Sequence, residues 1–198
     1  MKQLLILIFC FCSLSLISQD FVLEIEGGFS AIGNQDTSSV VIGSYGFGAY
    51  YEQSISEYFT ASLGAKIISK GGGSETLFGT ISIKLNYIEV PLIFRGNIPF
   101  KNVLFHPEFG FYWSQGLLVS AKLDDMDIDE YSFSESGFLK PDSGLYFGLG
   151  FSKEDILVMG RLSTGLKDIH IEEENDWNNA VISLSLRVPI KKLIKNKS

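Results

Sequence analysis

Apolar side chains recur at every second position in this chain, in one run after another. Between residues 143 and 152, Leu145, Phe147, Leu149 and Phe151 share one face, and Gly144, Tyr146, Gly148 and Gly150 share the other. Between residues 180 and 188, Ile182, Leu184, Leu186 and Val188 oppose Ser183, Ser185 and Arg187. Residues 45–52 and 59–67 repeat the pattern. A two-residue period is that of a strand with two unlike faces. Eight such runs can be placed, over residues 21–30, 44–53, 59–70, 80–96, 103–121, 142–152, 156–166 and 180–188. An even number of strands near ten residues long predicts an all-β fold, an eight-stranded antiparallel up-and-down transmembrane β-barrel.

The faces choose between a soluble and a membrane barrel. One face is almost purely Phe, Leu, Ile, Val, Ala and Tyr. The other carries Glu24, Glu26, Glu52, Lys66, Glu108, Arg161 and Arg187 among glycines, serines and threonines. Large apolar groups facing lipid and small or charged groups facing the lumen fit a narrow membrane barrel. A soluble lipocalin-like ligand binder is the rival and would turn the apolar face inward. Tyr45, Tyr51, Phe59 and Trp113 fall near expected strand ends, where an interfacial aromatic girdle belongs. Connection lengths alternate: residues 31–43, 71–79, 122–141 and 167–179 are long and polar, while 54–58, 97–102 and 153–155 are short. Long extracellular loops and short periplasmic turns produce that alternation. In the fourth run Ile81, Ile83 and Leu85 share one parity, and Ile88, Val90, Leu92 and Phe94 share the other. A β-bulge near Asn86 or Tyr87 would reconcile them. Pro91 lacks a ladder donor and must interrupt the pairing there.

Residues 1–19 read as a signal peptide: Lys2, then an uncharged apolar run from Leu4 to Leu16, then a polar break. Both cysteines, Cys10 and Cys12, lie inside it, so the exported chain would have none and could not lean on disulfides. The barrel domain would span 20–190, with a basic tail over 191–198 carrying Lys191, Lys192, Lys195 and Lys197. A net charge of −7 argues against a nucleic-acid partner. No phosphate loop, CxxC or HExxH pattern is present, so no cofactor is expected.

Residues 87–95 read YIEVPLIFR. This resembles a signature of the PorT-like outer-membrane β-barrel family of Bacteroidetes. Residues 107–120 (PEFGFYWSQGLLVS) resemble its glycine-rich fifth strand, residues 142–169 are similar to its next pair of strands, and residues 178–187 to its closing strand. The resemblance implies an eight-stranded outer-membrane barrel, usually of unassigned function, with a few members serving protein secretion and gliding. Two positions depart from the pattern. The chain continues past Val188 as PIKKLIKNKS, and Leu162 follows Arg161 where an aromatic is usual.

Three constellations are candidates for function. Glu89, Arg95, Glu108, Arg161 and Arg187 form an interior polar cluster on the expected lumen face. Eight strands leave room only for side chains, so a paired plug is expected rather than a pore. Asp125, Asp127, Asp129 and Glu130, in the stretch DDMDIDE, could hold a hard cation through carboxylate oxygens, as could the acids of residues 172–176. Neither has the glycine and spacing of an EF-hand, and solvated acidic loops are the plainer reading. His106 lies two residues from Glu108, and with a serine such as Ser114 it would be the start of a lipid hydrolase; no catalytic group is assigned. The expected partners are outer-membrane lipid and a protein met at the extracellular loops, with the barrel itself monomeric.

Overall fold

The computed structural model describes residues 19–33, 39–77, 79–124, 126–132, 141–166, 169 and 178–195, with backbone alone for 19, 39, 126–132, 194 and 195. The expected signal segment (Gln19 excepted), His170 and the acids of residues 172–176 lie outside the described residues.

Eight long strands follow the alternation: β1 (Gln19–Gly33), β2 (Ile42–Ser56), β3 (Phe59–Thr76), β4 (Gly79–Gly96), β5 (Val103–Leu123), β6 (Asp142–Lys153), β7 (Ile156–Gly165) and β8 (Asn178–Pro189). Each pairs antiparallel with its neighbours in sequence. β1 pairs with β8, from Val22↔Pro189 to Gly33↔Asn178, and this closes the ring. The fold is an up-and-down barrel of eight strands, and closure leaves these strands without an open edge. A short helix, α1 (Ile190–Lys195), follows β8.

Short turns gather at one end, here the turn end. Between β6 and β7 the pair Lys153↔Ile156 is joined by Glu154 and Asp155, at φ of 50° and 69°. Positive φ at both central residues is the type I′ geometry that matches strand twist. Residues 97–102, expected as a plain turn, instead fold Ile98–Phe100 back on Val103–Phe105. The opposite end, the loop end, holds the other connections, but residues 71–79, expected as a long polar loop, are almost all strand: β3 and β4 pair up to Thr76↔Gly79, and only two residues join them. There too the expected loop 122–141 is partly strand: residues Met126–Ser132 pair with Leu118–Leu123. The wall is accordingly uneven. β3, β4 and β5 have 18, 18 and 21 residues, while β7 has 10, so a crest rises on one side of the loop end.

The faces are inside out relative to a water-soluble barrel. Ile182 and Leu184 are 66% and 62% exposed, whereas Arg187 is 1% exposed. The outer surface carries Phe29, Phe47, Leu63, Ile67, Phe111, Leu149 and many like them. The lumen holds the charges. This arrangement is stable only if the solvent outside is apolar. The lipocalin-like alternative required the reverse and is set aside. Aromatic pairs ring the turn end: Phe21 with Tyr51, Phe59 with Phe94, and Phe105 with Phe151.

The expected bulge in β4 needs correction. Leu85, Tyr87, Glu89, Pro91, Ile93 and Arg95 are all buried, so the inward parity runs unbroken through Asn86. An irregularity does sit at Asn86/Tyr87, but its extra residue is Leu117 on β5, between the pairs Tyr87↔Gly116 and Asn86↔Leu118. What changes at Asn86 is the solvent. Below it the outward residues Ile88, Val90 and Leu92 are exposed and apolar. Above it the outward residues are Ser82, Lys84 and Asn86, and Lys84 lies 4.5 Å from the Tyr45 ring. There the inward residues become the apolar ones: Leu85 joins Ile32, Ile68, Tyr87, Val119 and Ile169 in a buried cluster, with Ile83 against it. The strand leaves an apolar surrounding and enters water, and the buried face changes composition accordingly. Pro91 behaves as expected: pairing of β3 with β4 runs to Leu63↔Leu92 and resumes at Lys66↔Glu89.

Glycines make room for tyrosines in the narrow lumen. A Cβ on Gly64 would lie 2.5 Å from the Tyr50 ring, and one on Gly144 would lie 2.5 Å from the Tyr112 hydroxyl. Gly64→Ala should therefore push Tyr50 off its site and destabilise the barrel by about 1–3 kcal/mol, the usual cost of overpacking. A lower temperature for the shift from folded to unfolded mobility on a denaturing gel would show it; an unchanged temperature would show that the lumen has slack.

Candidate functional site

The lumen is filled by one connected network of ion pairs. At the turn end, Arg95 forks onto Glu52, with Nη1–Oε1 at 2.9 Å and Nη2–Oε2 at 2.7 Å. Arg187 joins Glu52 at 3.3 Å to Glu24 at 2.5 Å and Glu108 at 3.4 Å. Arg161 occupies the centre: Nε meets Glu108 at 2.8 Å, Nη1 meets Glu26 at 3.2 Å, and Nη2 meets Glu24 at 3.0 Å. Lys66 continues from Glu26 to Glu89, both at 3.0 Å, and Lys70 from Glu89 at 2.8 Å to Asp142 at 3.2 Å. Six carboxylates and five cations are thus linked from one end to the other.

Tyrosines wedge the network. The Tyr50 hydroxyl donates to Glu24 at 2.8 Å, Tyr112 to Asp142 at 3.1 Å, and Tyr146 to Glu89. Their rings also face cations, with Arg187 4.4 Å from the Tyr50 centroid and Lys70 4.1 Å from that of Tyr112. Lys66 reaches the Tyr146 hydroxyl at 2.7 Å, a bond from β3 to β6 across the lumen. A buried charge without a partner costs several kcal/mol, so the lumen holds charges in chains of shared partners.

All five residues of the interior cluster are buried in the lumen. Glu108, Arg161 and Arg187 touch one another; Glu89 lies toward the loop end on Lys66 and Lys70, and Arg95 lies toward the turn end on Glu52. Sequence reasoning did not single out Lys70, Asp142 or the three tyrosines. Lys70 shares the inward parity of Lys66, and Asp142 that of Tyr146, so alternation alone could have found them.

The other candidates are placed differently from the expectation. Asp127, Asp129 and Glu130 stand on the strand paired with β5, opposite Lys122, Ala121 and Ser120, and not in a loop free to wrap a cation; Asp125 lies outside the described residues. No cluster of metal-ligating side chains occurs among the described residues. His106 is not set up with Glu108 or Ser114. Its Nδ1 faces the Gly96 carbonyl at 2.9 Å and its Nε2 the Ser152 hydroxyl at 2.7 Å, while Ser114 donates to Glu89. His106 and Ser152 border a cavity of about 200 Å³ at the turn end, which Arg95 and Arg187 also line.

No family model and no curated protein matches the chain. Solved structures do. The chain shares its fold with neisserial surface protein A. That match has a TM-score of 0.58 at 12% identity and covers 86% of this chain and 98% of the other. Looser likenesses are to the outer membrane protein OprG of Pseudomonas aeruginosa (TM-score 0.38, 13% identity, 85% and 96% covered) and to Ail, the attachment invasion locus protein of Yersinia pestis, solved with the heparin analogue sucrose octasulfate (0.43, 10%, 86% and 99%).

Two outcomes follow from the network. Arg161→Met removes a cation shared by three carboxylates, and the unfolding free energy should fall by about 3–5 kcal/mol. Denaturant titration in micelles, followed by tryptophan fluorescence, measures this; a loss below about 1 kcal/mol would show that the pairs are hydrated or interchangeable. The unaltered protein should give no steady current in a planar lipid bilayer, because the lumen is occupied by side chains. A stable ohmic conductance would contradict the plug.

Proposed function

We propose that the chain is an integral outer-membrane protein with a non-enzymatic structural or interaction role, exerted by the loop end facing the medium. The observation that carries this is the combination of an apolar outer belt with a lumen closed by buried ion pairs and an apolar cap. Such a barrel holds its place in lipid and offers no path through itself. What it presents is its ends, and the loop end carries the crest of β3, β4 and β5. The resemblance of residues 87–95 to the PorT-like family supports the same location. It also supports, as a second reading, an accessory role in secretion; an unchanged secreted proteome in a deletion strain would remove that one. The partners that suit this surface are membrane lipid around the belt and a protein at the loop end, with the barrel a monomer and no nucleic acid bound.

Orientation is the first test. A cysteine placed by Asp124→Cys should react with a membrane-impermeant maleimide on intact cells, and one placed by Asp155→Cys should react only after the outer membrane is opened. Labelling in the reverse order, or recovery in the soluble fraction, would sink the proposal. Neutralising the acids of residues 124–130 and 172–176 together should then abolish capture of any cross-linked surface partner while leaving the heat-dependent gel shift intact.

A further inference from the structure

The outer wall is grooved at the turn end, where β5 and β7 begin and β6 ends. Val103, Phe151, Ile156 and Val158 line an open groove of about 430 Å³, with Lys153 and Glu154 at the edge nearest the turn. Phe151, Ile156 and Val158 are exposed members of the apolar belt, so this part of the groove opens into hydrocarbon. Phe105, 5.3 Å from the Phe151 ring, belongs to the aromatic girdle that marks headgroup depth at this end.

The charged edge is out of balance. Lys153 is exposed, and its ammonium meets no carboxylate among the described residues. Lys192, brought here by α1, donates to the backbone carbonyl of Glu154 and not to an acid. Lys101 stands on the turn before Val103, against the Phe100 ring at 5.6 Å. The nearby acids are fewer, and two of them share one lysine. Asp20 pairs with Lys191 at 2.8 Å, and Asp155, which lines the lumen mouth, acts on the same ammonium. Glu154 is the acid left on the groove. Lys101, Lys153, Lys191 and Lys192 thus outnumber Asp20, Glu154 and Asp155, and Lys195 and Lys197 follow in the sequence.

A ligand for this groove needs a hydrocarbon chain for one part and net negative charge for the other. A soluble anion makes no use of the apolar walls. A zwitterionic headgroup would add its own ammonium to an edge already in positive excess. We propose that the groove holds an anionic phospholipid of the surrounding leaflet, with one acyl chain along Phe151, Ile156 and Val158 and the phosphate between Lys153 and Lys192. Basic side chains at a membrane surface attract such headgroups. The segment that continues past Val188 then has a task, which is to carry Lys192 to the headgroup. The inference rests on the reading of the outer belt as lipid-facing.

The test is native mass spectrometry of the full chain released from mixed micelles with equal amounts of phosphatidylglycerol, phosphatidylethanolamine and phosphatidylcholine. Phosphatidylglycerol should be retained at least about tenfold over the other two. Lys153→Gln and Lys192→Gln should each cut that preference about fivefold, and together they should erase it. Lys84→Gln, the same charge change at the loop end, should leave it as it was. Val158→Trp fills the groove and spares both lysines, and it should release the lipid from a barrel that keeps its heat-dependent gel shift. Inorganic phosphate should not compete. Equal retention of the three lipids in a barrel that shows the gel shift overturns the proposal. So does a preference that survives the double lysine substitution, one that falls equally with Lys84→Gln, or displacement by inorganic phosphate, which would mean an anion site with no need of a chain. A chain that shows no gel shift and stays out of lipid vesicles would instead remove the lipid-facing reading beneath it.

Discussion

The structure depends on a lumen too narrow for a continuous water column and too polar to be left empty. An eight-stranded barrel has just enough interior for side chains. In lipid the outward positions are given to apolar groups, so the polar residues of each strand have nowhere else to go. The chain meets this with shared ion pairs. Arg161 is divided among three carboxylates, Glu24 is divided between two guanidinium groups, and Glu89 between two ammonium groups. Sharing suits such a space, because most of the charges keep more than one partner. It also fixes topology: Arg187 meets Glu24 and Arg161 meets Glu26 across 163 and 135 residues of sequence, and a register slip would turn every one of these groups outward.

β4 shows two solvents acting on one unbroken strand. Below Asn86 its outward residues are apolar and its inward residues are polar or tightly packed against tyrosines. Above Asn86 the outward residues are polar and Ile83 and Leu85 turn in with Ile32, Val119 and Ile169. The barrel is therefore two proteins in sequence along one axis. A lipid-solvated part holds its charges inside, and a water-solvated crest has an ordinary apolar core. The crest core also seals the loop end of the ion-pair network from water, which keeps those pairs in a low-dielectric setting where pairing matters most.

Strand number, order and facing were legible in the sequence because period two is strict wherever one side meets lipid. The eight expected runs fall inside the eight observed strands to within a residue or two. Ile81, Ile83 and Leu85 look like a parity fault in the sequence because alternation carries no mark of which solvent lies outside. Residues 126–132 look like loop because DDMDIDE is poor strand sequence, and their pairing with β5 is a tertiary gain that local propensity does not see. The interior cluster was visible as charges on one parity. Its connectivity was not, since whether Arg161 meets Glu24 or Glu89 depends on stagger between strands, and no single strand records that.

A sealed lumen separates the two ends functionally. Nothing that enters the turn-end cavity can pass to the crest, and a signal between them would have to move charged partners most of which are held by two or three others. Rearranging any one pair exposes the rest to an unpaired state inside lipid, which makes the network stiff rather than switch-like. The two ends can therefore vary independently. Loops and crest can change for a partner in the medium while the strands keep their charges, and the turn end keeps its Arg95–Glu52 fork whatever the crest meets.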